Sequence, residues 1–411
     1  MEKTCCRFCG NKLNHDFINL GLSPLSNSFL KKEELNKNEK YYPLDVKICE
    51  KCYLVQLAEY ENPKNIFQNY AYFSSYSKSW LEHAKNFVQQ STNRLQLTKK
   101  SLVIEIASND GYLLQYFQEK KINILGIEPA TNVADTAIQK GIPTLKKFFG
   151  REIATELFNE KKQADLIIAN NVLAHVPDLN DFILGLKILL KPTGVITIEV
   201  PHLMKLIQEN QFDTIYHEHF SYFSLLTLQK IFKFHDLKIV DVEELSTHGG
   251  SLRIFIAHHE NQTQYIQKTV EELIKKEIEF GINNIECLKK FSKKVNEIRI
   301  NICEFFEKIK QSNKKIIGYG APAKANTLLN FCSIGTNFIN FTVDANPHKQ
   351  GLFLPGTHIP IKNPESIKNF KPDFVIILPW NLKDEITKQF EYIKSWGGKF
   401  VILIPEIKIL E

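Results

Sequence analysis

From residue 102 onward, short continuous apolar runs alternate with longer amphipathic stretches. The runs at 102–107, 122–127, 166–169, 195–200, 237–242 and 253–257 read as strands, with helical segments between the earlier ones. Apolar runs of this kind, alternating with helices, predict a parallel sheet covered on both faces. The last two strands are joined only by the loop 243–252, so they should form a hairpin and add one antiparallel edge strand. Residues 260–312 are charged and periodic and read as one or two long connecting helices. A second α/β unit follows, with strands at 315–318, 341–343, 373–378 and 399–403. The expected organisation is 1–70, 71–260, 261–312 (the connector) and 313–411.

The chain has 411 residues, 43% of them hydrophobic and 24% charged, which is ordinary globular usage and enough for a core in each unit. Its net charge of +6 is spread along the chain, unlike the clustered basic footprint of a nucleic-acid binder, so no nucleic-acid partner is expected. No apolar run approaches the roughly 18 residues of a membrane span. The start, Met-Glu-Lys-Thr-Cys-Cys, lacks an apolar export core. The expectation is a cytoplasmic protein without a membrane partner, and a monomer by default.

Five of the eight cysteines fall in the first 52 residues. Two C-x-x-C units, Cys6/Cys9 and Cys49/Cys52, suit one tetrahedral Zn²⁺ held by four thiolates. With all four positions taken by sulfur, no site is left for a reactive water, so the ion should be structural. Cys5 is the ambiguous neighbour, and register favours Cys6. The long interval between the knuckles must form its own hairpin.

Three further segments carry chemistry. The strand 102–107 runs through Ala107-Ser-Asn-Asp-Gly111 into a helix, a turn that lets a ligand approach the backbone. It lacks G-x-G-x-x-G, which disfavours a dinucleotide. Glu128 ends the next strand, where an acid can take two ribose hydroxyls. This pattern resembles the class I S-adenosylmethionine-dependent methyltransferases. That likeness implies Glu105, Ala107, Asn109 and Asp110 at the methionine end, Glu128 at the ribose and Asn170 near the adenosine. His175 fits a site or an ordinary loop equally well. Second, Tyr216-His-Glu-His219 follows the fifth strand at the sheet's carboxyl edge, where α/β ligands bind. It is not H-E-x-x-H, so zincin chemistry is out, although a metal at His217 and His219 stays open. His219 suits a base, Glu218 a relay, and Tyr216 or a tyrosine from 70–76 an oxyanion donor. Third, Gly318-Tyr-Gly320 opens a helix carrying Lys324, and the loops that follow carry Lys349 and His358, a candidate diphosphate site. Thr247-His-Gly-Gly250 reads either as a hairpin turn or as a pocket wall.

Taken in order, Cys-Arg-x-Cys-Gly10, Cys-x-x-Cys-x-Leu-Val-Gln-Leu57, YAYFSSYSKSW, EIASNDGYLL, GIEPA, YHEHFSYFS, HGGSLR and GYGAPAKAN resemble the nucleotide-sugar C-methyltransferases of branched deoxysugar biosynthesis, over essentially the whole chain. The resemblance implies an N-terminal zinc module, a central class I methyltransferase domain and a C-terminal Rossmann-like domain that helps bind a nucleotide sugar. It implies S-adenosylmethionine as cofactor. It puts His219 as base with Tyr216 and Glu218, Tyr76 as a further catalytic tyrosine, and Lys324, Asn326, Lys349 and His358 against the dTDP- or GDP-linked 4-keto sugar. Two other readings remain at this level: methylation of an oxygen or nitrogen of another small metabolite, and a non-catalytic binding protein on the same fold.

Overall fold

The computed structural model describes residues 4–61 and 74–410. Their strands form three sheets. In the first unit, β1 (His15–Ser23) and β2 (Tyr42–Ile48) form the expected hairpin between the cysteine knuckles, and β3 (Val55–Leu57) follows antiparallel. β2 alternates buried and half-buried positions, as one face of a small antiparallel sheet must.

The central sheet contains β4 (Leu102–Ile106), β5 (Asn123–Ile127), β6 (Thr144–Leu145), β7 (Ala164–Asn170) and β8 (Leu190–Pro201), all parallel. After these, β9 (Ser221–Tyr222) leaves this sheet and pairs with β3, so the cysteine-rich unit's sheet is completed by the central chain. β10 (Leu237–Leu245) and β11 (Ser251–His258) then form the anticipated hairpin. The reversed strand is not at the edge, however. β11 inserts between β8 and β10, antiparallel to both, and β10 is the edge strand. The reason lies in composition: Ser251–Ala257 is buried at every position, which an edge strand could not sustain, whereas β10 alternates.

Two helices, Lys268–Phe280 and Ile285–Gln311, make the connector. The second buries Leu288, Phe291, Val295, Ile298, Ile302, Phe306 and Ile309, a three-and-four spacing that puts one apolar stripe on one face. Asn284 caps its start by accepting from the Cys287 N–H. The stripe packs back on the first unit, where Phe291 stacks on Phe17 with ring centroids 5.0 Å apart. The third sheet, β12 (Ile316–Tyr319), β13 (Thr342–Val343), β14 (Ile361–Lys362), β15 (Phe374–Ile377), β16 (Lys399–Ile402) and β17 (Lys408–Leu410), is parallel except for β17. One contiguous apolar core runs through all three units. Among the described residues no helix is long and apolar enough to cross a membrane.

Candidate active site

The Sγ atoms of Cys6, Cys9, Cys49 and Cys52 lie within 4.8 Å of one another. Cys6 and Cys52 are 3.5 Å apart, Cys9 and Cys49 3.5 Å, and Cys9 and Cys52 3.7 Å. Four sulfurs at about 2.3 Å from one zinc ion stand roughly 3.8 Å apart, so the cluster fits a Cys₄ zinc site. The Gln56 amide donates to Cys6 Sγ at 3.2 Å, an outer partner of the kind that orients a metal ligand. Cys5 is exposed and outside the cluster.

A cavity of about 640 Å³ opens at the carboxyl edge of the central sheet and is walled by all three units. At its donor end, the chain after β4 takes left-handed backbone at Ala107 (φ 53°), Asn109 (φ 49°) and Gly111 (φ 76°). At Gly111 a Cβ would lie 2.8 Å from the Ile142 side chain, so glycine is required both for conformation and for space. The curl lets the Asn109 N–H donate to Glu128 Oε2 at 2.9 Å, while the Ala130 N–H donates to Oε1 at 2.8 Å. Glu105 is fully buried, and burial, with Glu128 and Asp110 nearby, pushes its carboxyl well above the usual range. Asp110 Oδ1 and Asn170 Oδ1 have no hydrogen-bond partner among the described residues. Asp110 Oδ2 does accept from Lys140 at 3.0 Å and from Ser75. Buried acids short of partners fit a cationic ligand, and S-adenosylmethionine carries both an ammonium and a sulfonium. Ala107, Asn109, Glu128 and Asn170 line the cavity itself, whereas Glu105 and Asp110 do not.

At the other end, His219 Nδ1 donates to the Thr214 carbonyl at 3.0 Å. That fixes the tautomer and leaves Nε2 as an acceptor, 2.8 Å from the Tyr216 hydroxyl. Burial, with His175 close by, holds the His219 imidazole well below its ordinary pKa, so the ring is neutral. His175 Nδ1 donates to the Glu218 carbonyl at 2.8 Å, and its ring meets His219 edge-on at 4.7 Å. Glu218 is buried and its carboxyl is pushed up to about 7, against the pull of Asn27 and Lys349. The Asn27 amide, from the cysteine-rich unit, donates to Glu218 Oε1 at 2.6 Å and lines the cavity. Nothing in the sequence pointed to Asn27, because its partner is 191 residues away. Lys324 and Lys349 reach the same cavity from the third unit.

Not every expected residue lines it. Asn326 is buried, with its amide toward the Pro24 carbonyl at 3.4 Å. His358 Nε2 meets Glu39 of the first unit at 2.6 Å, joining two units away from the cavity. Tyr76 stands 57% exposed beside the cavity-lining Ser74. Tyr70 and Tyr72 lie outside the described residues. His217 points away from His219, with Nε2 3.2 Å from the Tyr42 carbonyl, and neither belongs to a metal-ligand cluster among the described residues. His248, in the glycine turn, lines the cavity as a wall.

Three family models match in order: a "Putative zinc binding domain" over residues 6–67, a "Methyltransferase domain" over 80–242 and a "C-methyltransferase C-terminal domain" over 246–405. C-methyltransferase NovU of Streptomyces niveus is 35% identical over 98% of this chain and 96% of its own. A ubiquinone biosynthesis O-methyltransferase of Rhodopseudomonas palustris is 27% identical over 23% of this chain and 38% of its own. The structure of magnesium protoporphyrin IX methyltransferase from Synechocystis PCC 6803 with bound SAM aligns with TM-score 0.34 and 14% identity, over 43% of this chain and 79% of that one. On the full-length match and the three domain models, the chain belongs to the family of S-adenosylmethionine-dependent C-methyltransferases.

Proposed function

We propose that the enzyme methylates C3 of a nucleotide-linked 4-keto deoxysugar. The observation that carries this reading is the neutral, cavity-lining His219 imidazole, its Nδ1–H committed to Thr214 and its Nε2 engaged only by the Tyr216 hydroxyl among the described residues. Carbon is not nucleophilic until it loses a proton. A ketone beside C3 acidifies that C–H, and His219 Nε2 is the group that takes the proton. Tyr216, already 2.8 Å from Nε2, is the donor that turns to the enolate oxygen. Tyr76 is a second donor, on a segment tied to the donor end through Ser74 and Ser75. Glu218, with a carboxyl near neutrality, receives the proton as it leaves the imidazole. Bound S-adenosylmethionine supplies the electrophilic methyl group. Glu105, Asn109, Asp110 and Glu128 hold its cationic and hydroxyl groups, with Ala107 and Asn170 against its remaining surface. Lys324 and Lys349 face the diphosphate; Asn326 and His358, expected beside them, instead tie the third unit to the first, at Pro24 and Glu39.

The test is incubation with nucleotide-linked 4-keto sugars and S-adenosylmethionine, read by mass. A gain of one methyl on the sugar carbon is expected. His219→Asn should abolish both turnover and solvent-deuterium uptake at C3 while donor binding persists. Methylation at oxygen without deuterium uptake would reject the carbon chemistry.

A further inference from the structure

Asp213 is a buried carboxylate that the proposed chemistry does not use. Its Oδ2 accepts from the Trp380 indole N–H at 2.7 Å, and its Oδ1 has no partner among the described residues. Burial pushes its carboxyl up to about 6, with Lys324 and Trp380 pulling the other way. Trp380 lies just after β15 in the third unit, and the Lys324 ammonium sits 4.4 Å over its ring. The adjoining contacts follow one pattern. Thr327, one helical turn from Lys324, donates its hydroxyl to the Ile215 carbonyl at 2.8 Å. Phe331, a turn further, packs edge-on against Phe212 at 5.4 Å. The third unit therefore grips residues 212, 213 and 215, on both sides of Thr214. The Thr214 carbonyl is the acceptor that fixes His219 Nδ1.

We infer that Trp380 and Thr327 are positioning residues, through which the C-terminal unit sets the Thr214 carbonyl and hence the orientation of His219. The unit would thus both offer a cation to the nucleotide and hold the base, coupling the two ends of the substrate. Thr214 closes a single 3₁₀ turn, Phe212–Thr214, and its carbonyl lies beyond that turn's own hydrogen bonds, so its aim depends on what holds its neighbours. The glycine turn reinforces the grip. At Gly249 a Cβ would lie 2.3 Å from the Trp380 ring, and the Gly249 carbonyl accepts from Gln211 at 2.6 Å.

This inference rests on His219 being the base only for its kinetic consequence; the structural claim is tested without substrate. The full chain, labelled with ¹⁵N-histidine, gives an Nδ1–H resonance for His219, assigned by its loss in His219→Asn. Trp380→Phe keeps an aromatic side chain, though a smaller one, and removes the donor, and Thr327→Val keeps the shape and removes the hydroxyl. Each should shift that resonance and speed its exchange with solvent, while the His175 Nδ1–H stays in place. Thr327→Ser should restore the parent signal. With a turned-over sugar, kcat should fall by about tenfold or more with KM changed less than about threefold. An unmoved His219 resonance in the variants that fold overturns the inference, whatever the kinetics show. If no 4-keto sugar is methylated at all, the functional reading fails while the resonance still decides this one.

Discussion

Tyr222, three residues past His219, pairs across an antiparallel ladder with Val55, three residues past Cys52. The Leu57 N–H also donates to the Phe220 carbonyl at 3.0 Å, so β3 holds the chain immediately after His219. The cysteine cluster is thereby mechanically linked to the His219 end of the cavity.

Metal removal follows from that link. Structural zinc in small modules contributes roughly 10–16 kcal/mol to their folding. Cys52→Ser, or chelation, should release one zinc per chain by metal analysis and cut turnover by about a hundredfold or more. Affinity for S-adenosylhomocysteine, held by the central sheet, should change far less in calorimetry. Full turnover by metal-free protein would contradict the link.

Asn27 donates the hydrogen bond that favours the charged form of Glu218. Asn27→Ala removes it, so the Glu218 carboxyl should move above about 7. The limb of the pH–rate profile that reports Glu218 should shift to higher pH, with kcat lowered by about tenfold. An unshifted profile would separate Asn27 from Glu218.

Lys349 donates to the Ala321 carbonyl at 2.9 Å and lines the cavity, and burial lowers its pKa. Asp344 stands 4.0 Å from its ammonium, and a diphosphate in the cavity would be a further anion beside it. Lys349→Met should raise KM for a nucleotide diphosphate sugar by about 10- to 100-fold, with a smaller effect on kcat. Nucleotide binding by calorimetry should weaken in parallel.

His175 is held at about 4 by burial. Above pH 6.5 the ring is neutral whether folded or unfolded and contributes no pH dependence. Between 6.5 and 4 the unfolded chain binds the proton and the folded chain does not, so stability falls as pH falls. The loss reaches at most about 3 kcal/mol by pH 4. Denaturant titrations of His175→Asn and the parent should show the parent losing more stability over that window. Parallel curves would mean that His175 is charged when folded.

The central strands could be read from apolar runs because burial on both faces leaves an unbroken signal, and the two cysteine knuckles because tetrahedral ligation demands their spacing. The position of β11 could not. A hairpin specifies that two strands pair, but not which of them meets the rest of the sheet. Ser221–Tyr222 has no strand signature of its own, and its conformation comes from β3, far away in the chain. His358 carries a polar ring on a loop, and only the folded chain puts Glu39 against it. Asp213 and Trp380 were equally silent, since neither forms a motif without the other.

The stacking of Phe17 on Phe291, with apolar packing continuing from the first sheet to the last, sets terms for anyone wishing to rebuild this molecule. Grafting a foreign third unit would tear open shared interior on both sides of the seam. Chimeras between relatives should therefore succeed only when the long 285–311 helix travels together with the first hairpin it covers.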